Sequence, residues 1–456
     1  MTLRQRFPSG LPRARQLAAA LALVLMPDLS AAGASMPRLP TAVLSVSNCD
    51  DSGAGSLRDA IASAASGDTI DLDGLTCSAI TLTSGELVVP QDDLTIKYSQ
   101  ANGQNLTIGA NLQSRVLHHT GHGTLAIDGV DITDGKYDTT SGDSVARGGC
   151  IESEGNVSLS RVSVTNCSAQ ATAPAYGGGI AAWGSLYLAD STVDGCGVTT
   201  GSNALGGGIQ LEAGPATIIN STVSNNGTSR MSGQGLVERG GGLFIRNPAT
   251  LSTITGSTLS GNVSSYGGAM DIETGTAGGN VFIENSTIAN NSADYCGGGI
   301  DTRMVFEISN STIAFNNAGG TYGGGGICVA AGAGSLELTS TIVASNTAPS
   351  GACAYDICAF GATISGANNL VISSNVALPP DTIDADPELL PLADNGGPTQ
   401  TLALDAGSPA LDTGANPDGL ADDQRGPGYA RVSGAGPDIG AYERQNVDEI
   451  FANGFD

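Results

Sequence analysis

A tandem repeat through the middle of the chain is the feature that most constrains its fold. A Gly-Gly-apolar element returns at steps of 29, 29, 34, 27, 30 and 27 residues, and its apolar positions are Ile151, Ile180, Ile209, Leu243, Met270, Ile300 and Ile327. A Ser-Thr-apolar element keeps the same pace between these positions. Repeats of this length indicate a solenoid, in which each unit buries its apolar face against the neighbouring units.

Each repeat has the pattern of short β-strands. Triplets such as Ile209-Gln210-Leu211 alternate in the way that a half-buried strand requires. Three short strands per turn, with small or polar corners, predict an all-β, right-handed parallel β-helix over residues 69–377. This length holds about ten coils, whose equivalent residues would stack about 4.8 Å apart.

One corner of the repeat carries asparagine in four consecutive coils, at Asn226, Asn262, Asn291 and Asn316. Stacked amides can hydrogen-bond to the coils on either side, so we predict a ladder that satisfies this buried bend. The two preceding coils have Cys167 and Cys196 at the same position.

A solenoid needs caps at both ends, because open ends expose the core and unpaired strands. Ser56-Leu57-Arg58-Asp59 has the pattern of a capping box that opens a short helix, which predicts an N-terminal cap over residues 35–68. After residue 377 the repeat is lost and Pro, Asp and Gly become frequent. We therefore expect an irregular C-terminal cap over residues 378–443 and a tail over residues 444–456.

The first 34 residues have the features of a secretory signal peptide. A basic segment precedes ten apolar residues, Leu17–Met26, and Ala32-Gly33-Ala34 is a suitable cleavage site. The apolar run is too short to span a bilayer, and no later stretch is apolar enough to span one as a helix. We therefore expect an exported protein, extracellular or on the cell surface.

The chain is strongly acidic, with 44 Asp and Glu against 18 Lys and Arg and a formal net charge of −26. Loss of residues 1–34 would make this charge −29, since four Arg and one Asp would be removed. A chain of this charge repels nucleic acid and anionic lipid, so neither is expected as a partner. The charge also favours solubility in an exported protein.

Nine cysteines in an exported chain predict disulfides and one thiol left over. We propose three pairs. Cys353 and Cys358 are close in sequence, Cys49 and Cys77 flank the first helix, and Cys150 and Cys167 lie at the two ends of one repeat. Cys196 competes for the last pair, because it occupies the repeat position of Cys167 one coil on. The pairing of Cys296 and Cys328 stays open.

Two segments resemble parts of known families. "DDSGAGSLRDAI" with "GDTIDL" is similar to the CSLREA segment of bacterial surface β-helix proteins with polymorphic-outer-membrane-protein-like repeats. "NGGPTQTLALDAGSPALDTGA", "DQRGPG" and "PDIGAYE" resemble the choice-of-anchor Q domain. The resemblance implies a secreted or surface-attached protein with a pectin lyase-like β-helix, and it implies no defined biochemical role.

The outward positions of the Gly-Gly strands carry the candidate chemistry. Asp271 and Asp301 share a repeat position in neighbouring coils, and Arg303 lies two residues beyond Asp301. Paired carboxylates can cleave glycosides: one would protonate the leaving oxygen, the other would serve water or the sugar, and Arg303 would hold an acidic group. A ligand-binding face on the same strands would comprise Trp183, Glu212, Phe244, Arg246 and Glu273.

The charges on this face also have a structural interpretation. Glu and Arg alternate along the coils at Glu212, Arg246, Glu273 and Arg303. Alternation of this kind is typical of a cross-strand salt-bridge ladder that stabilises an exposed sheet, and we favour this interpretation over catalysis.

Two further groups of residues could bind metal. Asp418, Asp422 and Asp423 lie in a segment with the composition of a calcium loop, although its spacing and its closing Glu are missing. Calcium there is a hypothesis, and no other cofactor is expected. His118, His119 and His122 are interpreted as solvated residues of a turn, since adjacent strand residues point to opposite faces.

These patterns favour a secreted or cell-surface structural and interaction protein, adhesin-like, that presents polar ladders to a glycan or a host surface. The alternative is a polysaccharide-active enzyme, a lyase or glycoside hydrolase, that uses the outward face of the Gly-Gly strands. The scarcity of aromatic residues, 4 % of the chain, favours the first function, because aromatic rings are the usual platforms for sugars.

Overall fold

Successive coils of the chain add parallel strands to the same sheets, and the protein is an all-β, right-handed parallel β-helix. The computed structural model describes residues 41–445 except 100–104, 143, 232–236, 247–249, 274–279, 321, 331–334, 350 and 352. The signal peptide expected at residues 1–34 and residues 446–456 of the expected tail lie outside the described residues.

Three sheets surround the core. The first sheet contains the strands that follow the glycine turns: Leu87–Val89, Leu117–His119, Ile151–Ser153, Ile180–Ala182, Ile209–Leu211, Leu243–Arg246, Met270–Glu273, Ile300–Thr302, Ile327–Val329 and Ile357–Ala359. The second sheet contains Val43–Ser45, Thr69–Asp71, Leu94–Lys97, Thr124–Asp128, Asn156–Ser160, Leu186–Ala189, Ala216–Ile219, Ser252–Thr255, Val281–Glu284, Phe306–Ser309, Ser335–Thr339 and Thr363–Ala367. The third sheet contains Ala79–Thr81, Leu106–Gly109, Val130–Thr133, Ser163–Thr165, Thr192–Asp194, Thr222–Ser224, Thr258–Ser260, Thr287–Ala289, Thr312–Ala314, Ile342–Ala344 and Leu370–Val371.

The repeat positions stack as the sequence predicts. Ile180 pairs with Ile209, Leu243 with Met270, and each of these side chains is fully buried. The 10-stranded first sheet confirms the prediction of about ten coils. A continuous apolar core therefore runs along the helix, because alternate residues of all three sheets point inward.

The asparagine ladder is present and is longer than predicted. The side-chain amide of Asn226 donates to Oδ1 of Asn262 at 3.0 Å, and that of Asn262 donates to Oδ1 of Asn291 at 2.9 Å. The same bond repeats through Asn316 to Asn346. Each ladder amide also bonds main-chain groups of the neighbouring coils, so the polar groups of this buried corner are satisfied.

A fourth sheet, which the sequence did not predict, lies between the asparagine corner and the glycine turn. Its strands are Lys136–Asp138, Ala146–Arg147, Ser168–Ala171, Ala175–Tyr176, Gly197–Thr200, Ala204–Leu205, Gly227–Arg230, Glu238–Arg239, Val263–Tyr266, Ser292–Cys296 and Asn317–Ala318. The prediction of three strands per coil is therefore wrong for these coils. Strands of two to five residues, rich in Gly, Ala, Ser and Thr, carry too short an alternation to be distinguished from a polar corner.

The glycine turn connects the fourth sheet to the first. At Gly297 the backbone adopts φ +67°, and a Cβ atom there would lie 2.3 Å from the carbonyl oxygen of Ile300. Only glycine fits this turn without displacing the next strand.

The N-terminal segment adds a strand and a helix to the first coil. Val43–Ser45 pairs with Thr69–Asp71, and the helix spans Leu57–Ser63. Ser56 caps the helix by accepting from the Asp59 amide, whereas the Asp59 carboxylate accepts from the Gly55 amide, one residue before the position in a standard capping box.

The segment after residue 377 lies along the outer face of the third sheet. Asn310 donates to the carbonyl of Ala415 at 2.9 Å, and the Ala441 amide donates to Oγ1 of Thr312 at 3.0 Å. Apolar residues from both sides share a second core, which contains Ile342, Ala344, Leu370, Ala403, Leu404, Ala410, Ile439 and Tyr442. This segment therefore covers one flank of the helix as well as its end.

Four disulfides link the described cysteines: Cys49–Cys77, Cys150–Cys167, Cys353–Cys358 and Cys296–Cys328. The first three are the pairs proposed from the sequence, and the fourth was left open. Cys196 is the unpaired thiol, and its burial raises its pKa to about 12.

Candidate functional site

Asp271 and Asp301 are direct neighbours on adjacent strands of the first sheet, as the repeat predicts. The flanking Met270 and Ile300 point into the core and are fully buried. The two carboxyl groups therefore project from the opposite, outward side of the sheet.

The outward side of this part of the sheet is covered, so the expectation of an open ligand-binding face is wrong here. Asp271 is 1 % exposed, Asp301 is 3 % exposed, and Phe244, proposed as a ligand contact, is fully buried. The cover comes from the fourth sheet, whose residues before the glycine turns fold over the first sheet. Arg239 donates to Asp271 across this contact at 3.1 Å, and Cys296 is bonded to Cys328.

Burial dominates the electrostatics of the two carboxyl groups. It raises the pKa of Asp271 well above its ordinary value, and the nearby charge of Asp301 adds to this increase. Burial also raises the pKa of Asp301, to about 6, although Arg239 and Arg303 oppose the increase. The two groups are hydrogen-bonded to each other. They consequently share a proton at mildly acidic pH, as closely spaced carboxyl pairs do.

A pocket of about 370 Å³ opens beside Asp301 and is lined by Tyr266, Cys296, Asp301, Arg303, Tyr322, Cys328, Ala330 and Phe360. We call it the tyrosine pocket. Tyr266 stacks on Tyr295 with ring centroids 5.3 Å apart, and Tyr295 and Tyr322 are 40 % and 57 % exposed. Three aromatic residues, Tyr266, Tyr322 and Phe360, thus line a pocket that also contains a buried carboxyl group.

Most residues of the tyrosine pocket were missed by the sequence argument, but a signal exists for two of them, Tyr266 and Cys296, and for the covering residue Arg239. Arg239, Tyr266 and Cys296 each stand directly before a glycine turn, and they stack in the fourth sheet. A large or reactive residue that recurs directly before the glycine turn therefore indicates where the fourth sheet covers the first sheet.

The alternating charges form the salt-bridge ladder that we favoured. Arg246 donates to Glu212 at 3.0 Å and lies 4.0 Å from Glu273, while Arg303 donates to Glu273 at 2.8 Å. These side chains are 21 % to 35 % exposed, so the ladder borders the tyrosine pocket at the surface. Arg303 is therefore held by Glu273 and is only partly available to a ligand.

Trp183 lies at the surface, directly after the strand Ile180–Ala182 of the first sheet, and is 44 % exposed. The guanidinium of Arg147 lies between the rings of Trp183 and Tyr176, 4.7 Å from each centroid. This contact fixes the orientation of Trp183 while one side of it stays open to solvent.

The structure does not bring the calcium candidates together as a ligand set. Asp423 is buried, and its carboxylate accepts from Arg425 at 2.7 Å and from the Glu443 amide at 2.8 Å. Asp418 is exposed and Asp422 is half-buried. Among the described residues, the potential metal-binding atoms that do lie close together are the sulfurs of Cys296 and Cys328, which are joined in a disulfide, and a carboxylate oxygen of Asp301.

The interpretation of the histidines as solvated turn residues is wrong for two of them. His118 and His119 lie on the strand Leu117–His119. His119 is fully buried, bonds Ser153 at 2.7 Å, and has a pKa lowered by burial. His118 bonds Glu86 at 3.0 Å. His122 is exposed in a bend, as expected.

No family model matches the chain, and no curated protein matches it. Among solved structures it is similar to the crystal structure of pectate lyase Pel9A, with a TM-score of 0.49 and 13 % identity over 89 % of this chain and 97 % of that chain. No helix of the described residues is long and apolar enough to cross a membrane.

Proposed function

We propose that this protein is an exported, surface-associated β-helix that binds a glycan in the tyrosine pocket. The observation that carries the proposal is that the exposed Tyr322 and the half-buried Tyr266 line one pocket together with Asp301 and Arg303. Aromatic faces stack on sugar rings, while a carboxyl and a guanidinium accept from and donate to sugar hydroxyls. This combination of side chains is typical of a site that binds a polar ligand with apolar faces.

The proposed location outside the cell rests on other features. The signal-peptide pattern, the four disulfides and the acidic charge all fit an exported protein. The resemblance of the terminal segments to CSLREA and choice-of-anchor Q sequences fits attachment to a bacterial surface. Glycans of the cell's own envelope or of a host surface are therefore the proposed partners.

Two matched tyrosine variants test glycan binding. The mature protein is screened on a glycan array and on insoluble polysaccharides, and affinities are measured for the best ligand. Tyr322→Ala should weaken binding by about tenfold, the loss typical of one stacking contact. Tyr187→Ala removes a similarly exposed ring outside the pocket and should bind as the wild type does. Equal affinity of the two variants, or no glycan bound by the wild type, would exclude the proposal.

The shared proton favours a second candidate function, cleavage of the bound polysaccharide. Asp301 lines the pocket and, with its raised pKa, could donate a proton to a leaving oxygen. Asp271 is not among the pocket residues, and a hydrogen-bonded pair leaves no space for water or a sugar carbon between the carboxyls. We therefore assign Asp301 alone to contact with substrate, and Asp271 to positioning Asp301 through their hydrogen bond.

Release of reducing ends from polysaccharides tests this second function. The wild type should be active below about pH 6 and lose activity as Asp301 ionises. Asp301→Asn should abolish activity, whereas Asp128→Asn, in an exposed ion pair with Arg161, should not change it. Product formed equally by both variants would leave Asp301 with a binding role only.

A further inference from the structure

Three side chains from different strands converge on one wall of the tyrosine pocket. The sulfurs of Cys296 and Cys328 and a carboxylate oxygen of Asp301 all lie within 4.8 Å of one another. Cys296 belongs to the fourth sheet, while Asp301 and Cys328 are paired neighbours on the first sheet. The two sulfurs form a disulfide, and both cysteines line the pocket, although the residues are only 4 % and 2 % exposed.

We propose that reduction of the Cys296–Cys328 disulfide converts this wall into a zinc site. A dithiol reductant would be oxidised to its own disulfide while the Cys296–Cys328 bond breaks and gives two thiols. Zn²⁺ would then displace both thiol protons and bind the two thiolates and Asp301, with a water of the pocket as the fourth ligand. Two sulfurs, one carboxylate oxygen and an open position are a donor set that tetrahedral zinc accepts.

The backbone supports this geometry without the disulfide. The Cα atoms of Cys296 and Cys328 are 5.8 Å apart and belong to strands that parallel pairing holds in place. Freed thiolates would therefore stay adjacent, and side-chain rotation alone could separate the sulfurs enough to bind one ion. Preformed placement of ligands lowers the cost of binding a metal.

The charges around the site are compatible with a bound zinc ion. Zn²⁺ and two thiolates together add no net charge to a region that already contains Arg239, Arg303 and the carboxyl pair. Asp271, hydrogen-bonded to Asp301, would orient the carboxylate ligand, as outer partners do in zinc sites. Among the described residues, the other three disulfides have no such third ligand beside them, which makes them internal controls.

Metal binding is measured on the folded, full-length mature protein before and after treatment with a phosphine or dithiol reductant. Equilibrium dialysis against Zn²⁺ should give one ion per reduced chain and none per oxidised chain. Co²⁺ in place of Zn²⁺ should give the absorption bands of a tetrahedral site with thiolate ligands. This readout is independent of glycan binding and of any activity.

Variants decide which residues bind the ion. Asp301→Asn should weaken Zn²⁺ binding at least tenfold while the disulfide remains able to form. Cys296→Ser with Cys328→Ser should abolish binding, whereas Cys353→Ser with Cys358→Ser should leave it intact. If the cysteine variants fail to fold, thiol alkylation of the reduced wild type at Cys296 and Cys328, located by mass spectrometry, replaces them. No ion bound by the reduced wild type, or binding unaffected by Asp301→Asn, would overturn the proposal.

Discussion

At the scale of single residues, the carboxyl pair couples stability to pH. Burial raises the pKa of both Asp271 and Asp301 above the values of the unfolded chain, so the folded protein holds protons that the unfolded chain releases. The stability contributed by the protonated pair is therefore complete below about pH 4. It is lost as the pH rises through the pKa values of the folded state, about 6 for Asp301 and well above the ordinary value for Asp271.

The variant Asp301→Asn tests this sign, because an amide imitates the carboxyl that holds the proton. The wild type loses stability as the pH rises from 4 to 7.5, and the variant does not lose this contribution. The unfolding free energy of the variant minus that of wild type should therefore increase by on the order of 2 kcal/mol between these pH values. Asp138→Asn is the control, since hydrogen bonds to Thr140 lower the pKa of Asp138 to about 2 and no gain is expected. Urea unfolding at the two pH values measures both differences. A pH-independent difference for Asp301→Asn would show that the pair does not share a proton.

The asparagine ladder gives a second prediction at this scale. The side chain of Asn262 accepts from both nitrogens of Asn226 and donates to Asn291 and to the Val223 carbonyl. Asn262→Ala would leave these groups buried without partners and should cost about 2–4 kcal/mol of stability.

Asn317→Ala is the control for the ladder prediction, because Asn317 is exposed and its side-chain bonds, a donation to Ser292 at 3.4 Å and an acceptance from Thr347 at 2.9 Å, lie at the surface. Its cost should be below about 0.5 kcal/mol. Chemical denaturation of both variants makes the comparison. Similar costs for the two variants would mean that the ladder does not contribute specifically.

At the scale of secondary-structure elements, the C-terminal segment is held by polar contacts as well as by the shared apolar core. The side chain of Gln424 bonds Thr258, Thr287 and the carbonyl of Ser257, all at the third sheet. Gln424→Ala should therefore loosen residues 378–445 from the sheet before the β-helix itself unfolds.

Hydrogen exchange with peptide resolution measures this loosening. Amides of residues 378–445 should exchange at least tenfold faster in Gln424→Ala, while those of residues 150–230 keep their rates. Gln400→Ala is the matched control, since Gln400 is exposed and contributes its carbonyl, not its side chain, to the contact. Uniform acceleration along the whole chain would contradict a separable segment.

The elements also show what the sequence can and cannot predict. The period placed Asp271 beside Asp301 and the asparagines in a ladder, because parallel stacking depends only on register. The burial of the carboxyl pair could not be derived in this way. It depends on short outer strands, in which Arg239 pairs with Tyr266. These strands are too short to show a clear alternation of apolar and polar residues in the sequence.

At the scale of the whole molecule, the net charge of −26 governs the response to salt. Mutual repulsion of acidic residues destabilises the compact state and is screened by added ions. The thermal midpoint should therefore rise by a few degrees between about 10 mM and about 150 mM NaCl. Calorimetry with NaCl and MgCl₂ at equal ionic strength makes the test. A falling midpoint would show that the salt-bridge ladder outweighs the repulsion.

The asparagine ladder keeps the spacing of the coils constant although the number of residues per coil varies. Consecutive ladder residues are 36, 29, 25 and 30 positions apart, yet each makes the same side-chain bond to the next. The amides therefore fix the pitch, and the chain between them is free to lengthen or shorten. Such an architecture can acquire new peptides between its fixed points and carry them outward, so that its surface diversifies while its axis stays unchanged.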